Sequence, residues 1–134
     1  MTDHPLDRPV WNALATRQAE LGVGNARARR YRPEINLFAA GAEPTEACAE
    51  AIARFLDDGG PIGLVEAAAF PPIPGAVVEK QAVIRQMVAS GSPDLVDGFD
   101  YRILGDADAP GMLALATLTA PGPFFAATHR MGHF

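Results

Sequence analysis

The chain has 134 residues, 49% of them apolar and 20% charged, with a net charge of −5 at neutral pH, a composition that builds one ordinary core. Its acidity argues against a nucleic-acid partner, and Cys48 as the single cysteine excludes an internal disulfide and a thiolate zinc centre and removes any need for an oxidising compartment. No apolar run approaches the roughly 20 residues that cross a bilayer, and the first residues lack the basic head and apolar stretch of a secretory signal, so a soluble, cytoplasmic protein with no membrane partner is expected.

Charge is distributed unevenly. The first 32 residues hold six arginines against Asp3, Asp7 and Glu20, which suits docking of a cationic N-terminal end onto an acidic body. Asp7-Arg8-Pro9 places a capping side chain and a proline ahead of Trp11, Leu14, Ala15, Gln18 and Leu21; this spacing predicts a helix over about Val10 to Leu21, closed at Gly22. Arg27, Arg29, Arg30 and Arg32 surround Ala28 and Tyr31 and read as a solvated edge or as partners of the acidic body, with attraction of ligand phosphates as the alternative. Ile35, Leu37 and Ala39 alternate with Asn36 and Phe38 as a short strand does.

From Thr45 the pattern sharpens. Cys48, Ala51, Ile52, Phe55 and Leu56 recur at helical spacing behind Glu46 and Glu50, and Gly59-Gly60-Pro61 ends the predicted helix. Ile62 to Glu66 predicts a compact strand, and the link Phe70 to Gly75 is too proline-rich for a helix or an inner strand. Val77 to Glu79 and Val83 to Val88 follow as strands, although Val83, Ile84, Met87 and Val88 also fit one helical face. Ser90-Gly91-Ser92-Pro93-Asp94 marks a boundary between an N-terminal unit, 1–92, and a second unit, 93–134. Beyond it Phe99, Tyr101 and Ile103 alternate with Asp100 and Arg102, the pattern of a strand with one solvated face. Asp106 or Asp108 caps the next helix, Pro110 occupies its first turn, and Met112, Leu113, Leu115 and Ala116 supply its buried side. Thr119 to Phe124 breaks that helix, and Ala126 to Met131 begins another. A strand-to-helix unit opening this near Phe134 leads us to expect the front portion of a larger α/β enzyme.

His129 and His133 are four residues apart without the intervening carboxylate of a helical zinc motif, so a frayed tail and no metal site are expected. Ser90 and Ser92 lack a nucleophile-elbow context, and Cys48 lies on the apolar face of its helix, where a small buried thiol is ordinary.

The segments His4-Pro5-Leu6-Asp7-Arg8-Pro9-Val10-Trp11, Gln86-Met87-Val88, Met112-Leu113-Ala114-Leu115 and Leu118-Thr119-Ala120-Pro121-Gly122-Pro123-Phe124 resemble one branch of the GNAT superfamily of acetyl-CoA-dependent N-acetyltransferases. The resemblance spans nearly the whole chain. It implies an α/β (α+β type) fold with a mixed, mostly antiparallel sheet flanked by helices, here incomplete at the C-terminus, and a small-molecule or peptide amine as acceptor. It also implies that backbone amides of a Gln/Arg-x-x-Gly-x-Gly/Ala loop at a helix start bind the cofactor pyrophosphate, as unsatisfied amides at a helix N-terminus do in general. Gly22-Val23-Gly24 has the glycine spacing but reads as a simple loop or helix stop. Arg102 to Ala107 fits the pattern formally, making Gly105 and Ala107 alternative cofactor contacts, yet Asp106 and Asp108 would oppose a pyrophosphate and read as helix caps. Thr119, Pro123, Phe124 and Phe125 correspond to the family's acceptor-side break, where the two phenylalanines face substrate or anchor the loop in the core. The expectation is therefore a family member that neither binds acetyl-CoA nor catalyses alone. The alternative is a non-enzymatic binding or homodimerisation module that pairs through an exposed sheet edge.

Overall fold

A computed structural model describes residues 4–92, 94 and 98–134 of the chain; Pro93 of the expected boundary lies outside them. Helix α1 spans Pro9–Ala15 and is followed by a 3-10 turn over Ala19–Leu21. Strands β1, Gly22–Gly24, β2, Ala28–Tyr31, and β3, Ala39–Gly41, form an antiparallel sheet in that order, with Gly22 opposite Tyr31 and Arg29 opposite Ala40. Helix α2 covers Glu46–Ala53 and tightens into a 3-10 turn over Arg54–Asp58. Helix α3, Ala109–Thr119, follows a 3-10 turn at Asp106–Asp108, and a last such turn spans Thr128–Met131. This α/β arrangement, helices around an antiparallel sheet, is the expected class.

The sheet is covered on both faces. Tyr31 and Ala40 join Val10 and Leu14 of α1 in one buried cluster, whereas Ala28 joins Ala51 and Ile52 of α2 in the other. Ala28 and Tyr31 have opposite parity along β2, so the period of two sends them to opposite sides. The arginines obey the same rule. Arg29 donates to the Leu14 carbonyl (2.7 Å) and lies 5.7 Å from the Trp11 ring centroid. Arg30, 3% exposed, donates to the Tyr31 and Phe55 carbonyls (3.0 and 3.3 Å) and lies 3.7 Å from Asp58. Of the two expectations for these arginines, the solvated edge fails because β2 is the central strand, whereas Arg30 does meet an acidic partner, Asp58, and is buried because its donors find carbonyls and that carboxylate.

Several elements are shorter than their patterns predict. Helix α1 stops at Ala15, where the Thr16 and Gln18 amides both turn to the Ala13 carbonyl (3.2 and 2.9 Å) and the helical ladder ends. The strand expected at Ile35–Ala39 begins only at Ala39, since residues 33–35 turn, with the Ile35 and Asn36 amides both donating to the Arg32 carbonyl (2.9 and 3.2 Å). Of the Ile62–Glu66 strand there remains a single parallel bridge between Phe38 and Gly63. Val77–Glu79, Val83–Val88 and Phe99–Ile103 form neither strand nor helix. Met112, Leu113 and Ala116 of α3 are half-buried and Leu115 is exposed, so the helix has no fully buried side. The helix expected at Ala126–Met131 is the short 3-10 turn.

Thr45 caps α2, its hydroxyl accepting the Cys48 amide (3.3 Å), and Gly59 and Gly60, with φ of +74° and +86°, carry the chain away. Arg8 clamps the N-terminal helix to the sheet. Its guanidinium meets both Glu66 oxygens (2.8 and 3.1 Å) and the Gly41 and Ala42 carbonyls. The hydrogen bonds to Glu66 raise the Arg8 pKa above its ordinary value. Burial likewise pushes up the Tyr31 phenol, which donates to Gln18.

Candidate functional site

The residues expected to matter gather around the two ends of α3 and the turn after it. At its start the chain forms a tight turn, with the Asp108 amide donating to the Gly105 carbonyl (2.9 Å) and the Gly105 amide to Asp108 Oδ2 (3.0 Å). Arg102 adds a two-pronged pair to the same carboxylate at 3.2 and 2.6 Å. The Arg102 pair, and secondarily the Gly105 amide, hold the Asp108 carboxyl below the usual carboxylate range. Neither aspartate caps α3 itself: Asp108 is the N-cap residue but its side chain closes the preceding turn, and Asp106 turns to His129.

His129 is not part of a frayed tail. It is 8% exposed, its Nε2 lies 2.6 Å from Asp106 Oδ1, and Arg130 Nε is 3.5 Å from the same oxygen. Contact with His129, then with Arg130, lowers the Asp106 pKa. Among the described residues His129 Nδ1 has no hydrogen-bond partner. One imidazole nitrogen thus faces a carboxylate and the other is buried, so this ring does not present a base to an amine in solution. Nothing in the sequence pointed to burial of Thr128 and His129, which follows from docking. Thr128 Oγ1 donates to the Ile35 carbonyl (2.5 Å) and accepts the Phe125 amide (2.7 Å), while the Ala127 amide reaches the Glu34 carbonyl (2.8 Å) and Gln18 donates to that of Met131 (2.5 Å).

That docking holds the end of the Thr119–Phe125 break. Phe124 is half-buried and meets Phe134 edge to face, with centroids 5.9 Å apart. Phe125 is half-buried through its tie to Thr128, Pro123 is exposed, and the exposed Thr119 donates its hydroxyl to the Leu115 carbonyl (2.8 Å). Ala120, at φ +46°, ends α3 in the left-handed region. Thr119, Phe124 and Phe125 therefore lie along one break, while Gly105 and Ala107 are exposed at the opposite end of α3.

Gly22-Val23-Gly24 is a strand, not a phosphate loop. A Cβ on Gly24, which has φ +133°, would come within 2.2 Å of the Ala28 carbonyl oxygen, so glycine is demanded by the hairpin. A cleft of about 170 Å³ beside these glycines is lined by Leu14, Val23 and Arg29, and one of about 310 Å³ is lined by Arg27, Arg54 and Glu50 among others. Both are remote in sequence from the α3 break, and the mixed charges of the second do not single out an anion. Among the described residues no three His, Cys, Asp or Glu side chains gather as metal ligands, and no helix is long and apolar enough to cross a membrane.

No protein-family model matches the chain, and no curated protein matches it. Among solved structures it is similar to the crystal structure, at 1.80 Å resolution, of a GNAT-family protein from Novosphingobium aromaticivorans DSM 12444, assigned as an acetyltransferase. The two share 42% identity with a TM-score of 0.75 over 98% of this chain. The chain belongs to the GNAT family. It spans 58% of the length of that GNAT relative. The GNAT assignment agrees with the sheet and helices described above.

Proposed function

We propose that this GNAT chain contributes the acceptor side of an acetyl-CoA-dependent N-acetyltransferase, acting on a small-molecule or peptide amine, and that alone it neither holds acetyl-CoA nor catalyses. The observation that carries this reading is the turn before α3. A pyrophosphate site at a helix start needs free amides and a positive field. Here the Gly105 amide is taken by Asp108, Arg102 is paired to the same carboxylate, and Asp106 adds a second negative group. The residues of the one segment that matches the cofactor-loop pattern do not fit a diphosphate, so Gly105 and Ala107 are not assigned to it.

In this reading Thr119, Pro123, Phe124 and Phe125 border the acceptor. Phe124 and Phe125 offer aromatic surface at a fixed position, because Thr128 ties Phe125 to the buried Ile35 carbonyl. In the same reading units 1–92 and 93–134 are an N-terminal α/β half and the opening of a catalytic half, and the cofactor amides are supplied by residues other than Gly105 and Ala107. Isothermal calorimetry of the 134-residue chain with acetyl-CoA tests the reading. No saturable heat is expected at micromolar ligand, whereas micromolar binding that Asp108→Ala leaves intact or strengthens would overturn it.

A further inference from the structure

The larger of the two clefts, about 310 Å³, lies between the hairpin that joins β1 to β2 and one face of α2, at the lower end of the roughly 300–1,000 Å³ that hold small molecules. Ala47, Glu50, Ala51 and Arg54 are spaced i, i+3, i+4 and i+7 and so share a helical face. Asn25, Ala26 and Arg27 form the other wall. The alanines leave the room, and Arg27, Glu50 and Arg54 supply the charge.

Both walls are fixed by backbone. Asn25 Oδ1 accepts the Arg27 and Ala28 amides (2.8 and 3.2 Å), the Asn25 amide donates to the Ala28 carbonyl (2.8 Å), and the Arg27 carbonyl accepts the Ala42 amide (2.8 Å). Arg54 continues α2 in helical geometry, and Ala51 and Ile52 anchor that stretch in a buried cluster with Ala28 of β2. The charged groups are not spent on one another. Glu50 and Arg54 have the spacing and order that favour an ion pair across a helical turn, yet among the described residues neither they nor Arg27 joins an ion pair, and all three are exposed. Arg8, Arg30, Arg102 and Arg130, by contrast, each meet a carboxylate.

This mixture of charges selects a ligand class. A simple anion between the arginines meets Glu50 in the same cleft, and a simple amine drawn to Glu50 meets two guanidinium groups, so like charges oppose both. A molecule with two carboxylates and one ammonium complements all three side chains, and the guanidinium fork matches a carboxylate in shape as well as charge. We propose that the cleft between the β1–β2 hairpin and α2 binds a free acidic α-amino acid, its carboxylates held by Arg27 and Arg54 and its ammonium by Glu50. An ammonium so paired has no lone pair with which to attack a thioester, so the ligand is bound there without being acetylated. The site shares no residue with the break after α3 and does not depend on the acetyltransferase reading.

Titration of the isotope-labelled 134-residue chain with L-glutamate, followed by NMR, tests the assignment. Saturable shifts are expected at the Ala26, Arg27, Glu50 and Ala51 amides, with a Kd on the order of 1 mM or below, as a few charge-assisted contacts in an open cleft allow. Arg27→Gln and Arg54→Gln should each weaken binding roughly fivefold, the weight of one exposed charge pair, whereas Arg17→Gln, an exposed arginine outside the cleft, should leave it unchanged. Glutarate keeps both carboxylates and lacks the ammonium. It should bind the parent roughly fivefold more weakly than glutamate, and Glu50→Gln should abolish that preference. Because these side chains are exposed, circular dichroism of the variants should match the parent, and the comparison of glutamate with glutarate needs no variant. Absence of saturable shifts, equal affinity of the parent for both ligands, shifts centred away from the cleft, or an Arg17→Gln loss as large as that of Arg27→Gln would overturn the proposal. Acetyl-CoA binding by the chain bears on the functional reading alone.

Discussion

Replacing Thr128 by valine probes the docking that joins the C-terminal turn to the N-terminal core. The substitution keeps the shape of a side chain that is 5% exposed and removes the hydroxyl, leaving the Phe125 amide and the Ile35 carbonyl without it. A buried polar group left unsatisfied costs about 1–3 kcal/mol. Ile35 is 2% exposed, so its carbonyl bears the full penalty, whereas half-buried Phe125 can turn its amide towards water. Taking one full penalty and part of a second gives roughly 2–3 kcal/mol of lost stability, and for a chain of this size a fall in Tm of roughly 6–12 °C. Thr128→Ser keeps both hydrogen bonds and loses one methyl, worth about 0.8 kcal/mol. Urea unfolding followed by far-ultraviolet circular dichroism and by fluorescence of the single tryptophan, Trp11, should show a lower midpoint with an unchanged slope. A valine variant within ~0.5 kcal/mol of the parent, below the cost of an unsatisfied group, or a serine variant as damaged as the valine one, would refute the reasoning. Unchanged global stability with lost exchange protection at the Ala127 amide would also refute it, since the turn would then open as an independent unit.

Two further outcomes are expected. Arg8→Lys cannot span both Glu66 oxygens and the Gly41 and Ala42 carbonyls; the loss of a hydrogen bond to a charged group predicts about 1.5–3 kcal/mol of destabilisation, and a cycle with Glu66→Gln should show the two substitutions to be non-additive. Acid should loosen the start of α3. The Asp106 and Asp108 carboxyls are depressed below 3.8, so their contribution is fully present above that value and is lost as pH falls through the lowered pKa values. Proton titration by NMR should place both midpoints below 3.8, and midpoints at or above it would contradict the pairs with Arg102 and His129.

Helix α2 was legible in the sequence because its determinants are local: the apolar face repeats at helical spacing behind Glu46, and Gly59 permits the left-handed exit. The C-terminal break at Ala120–Pro123 was legible for the same reason, since backbone conformation there depends on the residues themselves. Family membership was also readable from short segments, because they shape the fold. The position of Arg30 was not, as arginine is ordinarily solvated and the Phe55 carbonyl and the Asp58 carboxylate that make its burial tolerable are brought to it by folding. His129 was misjudged on similar grounds, because its partner Asp106 lies 23 residues away and nothing near it in the chain announces the contact.

The strands expected between Val77 and Ile103 show the division most plainly. Their alternation is a property of the residues and survives in the exposed row of Phe99, Tyr101 and Ile103. Pairing is a property of neighbours, for a strand closes its hydrogen bonds on another segment, whereas a helix closes them on itself. Residue chemistry therefore prescribed the helix caps, the breaks and the apolar periodicities. Tertiary contact alone chose which arginine is buried, where α1 ends, which histidine meets a carboxylate and which apolar rows become sheet.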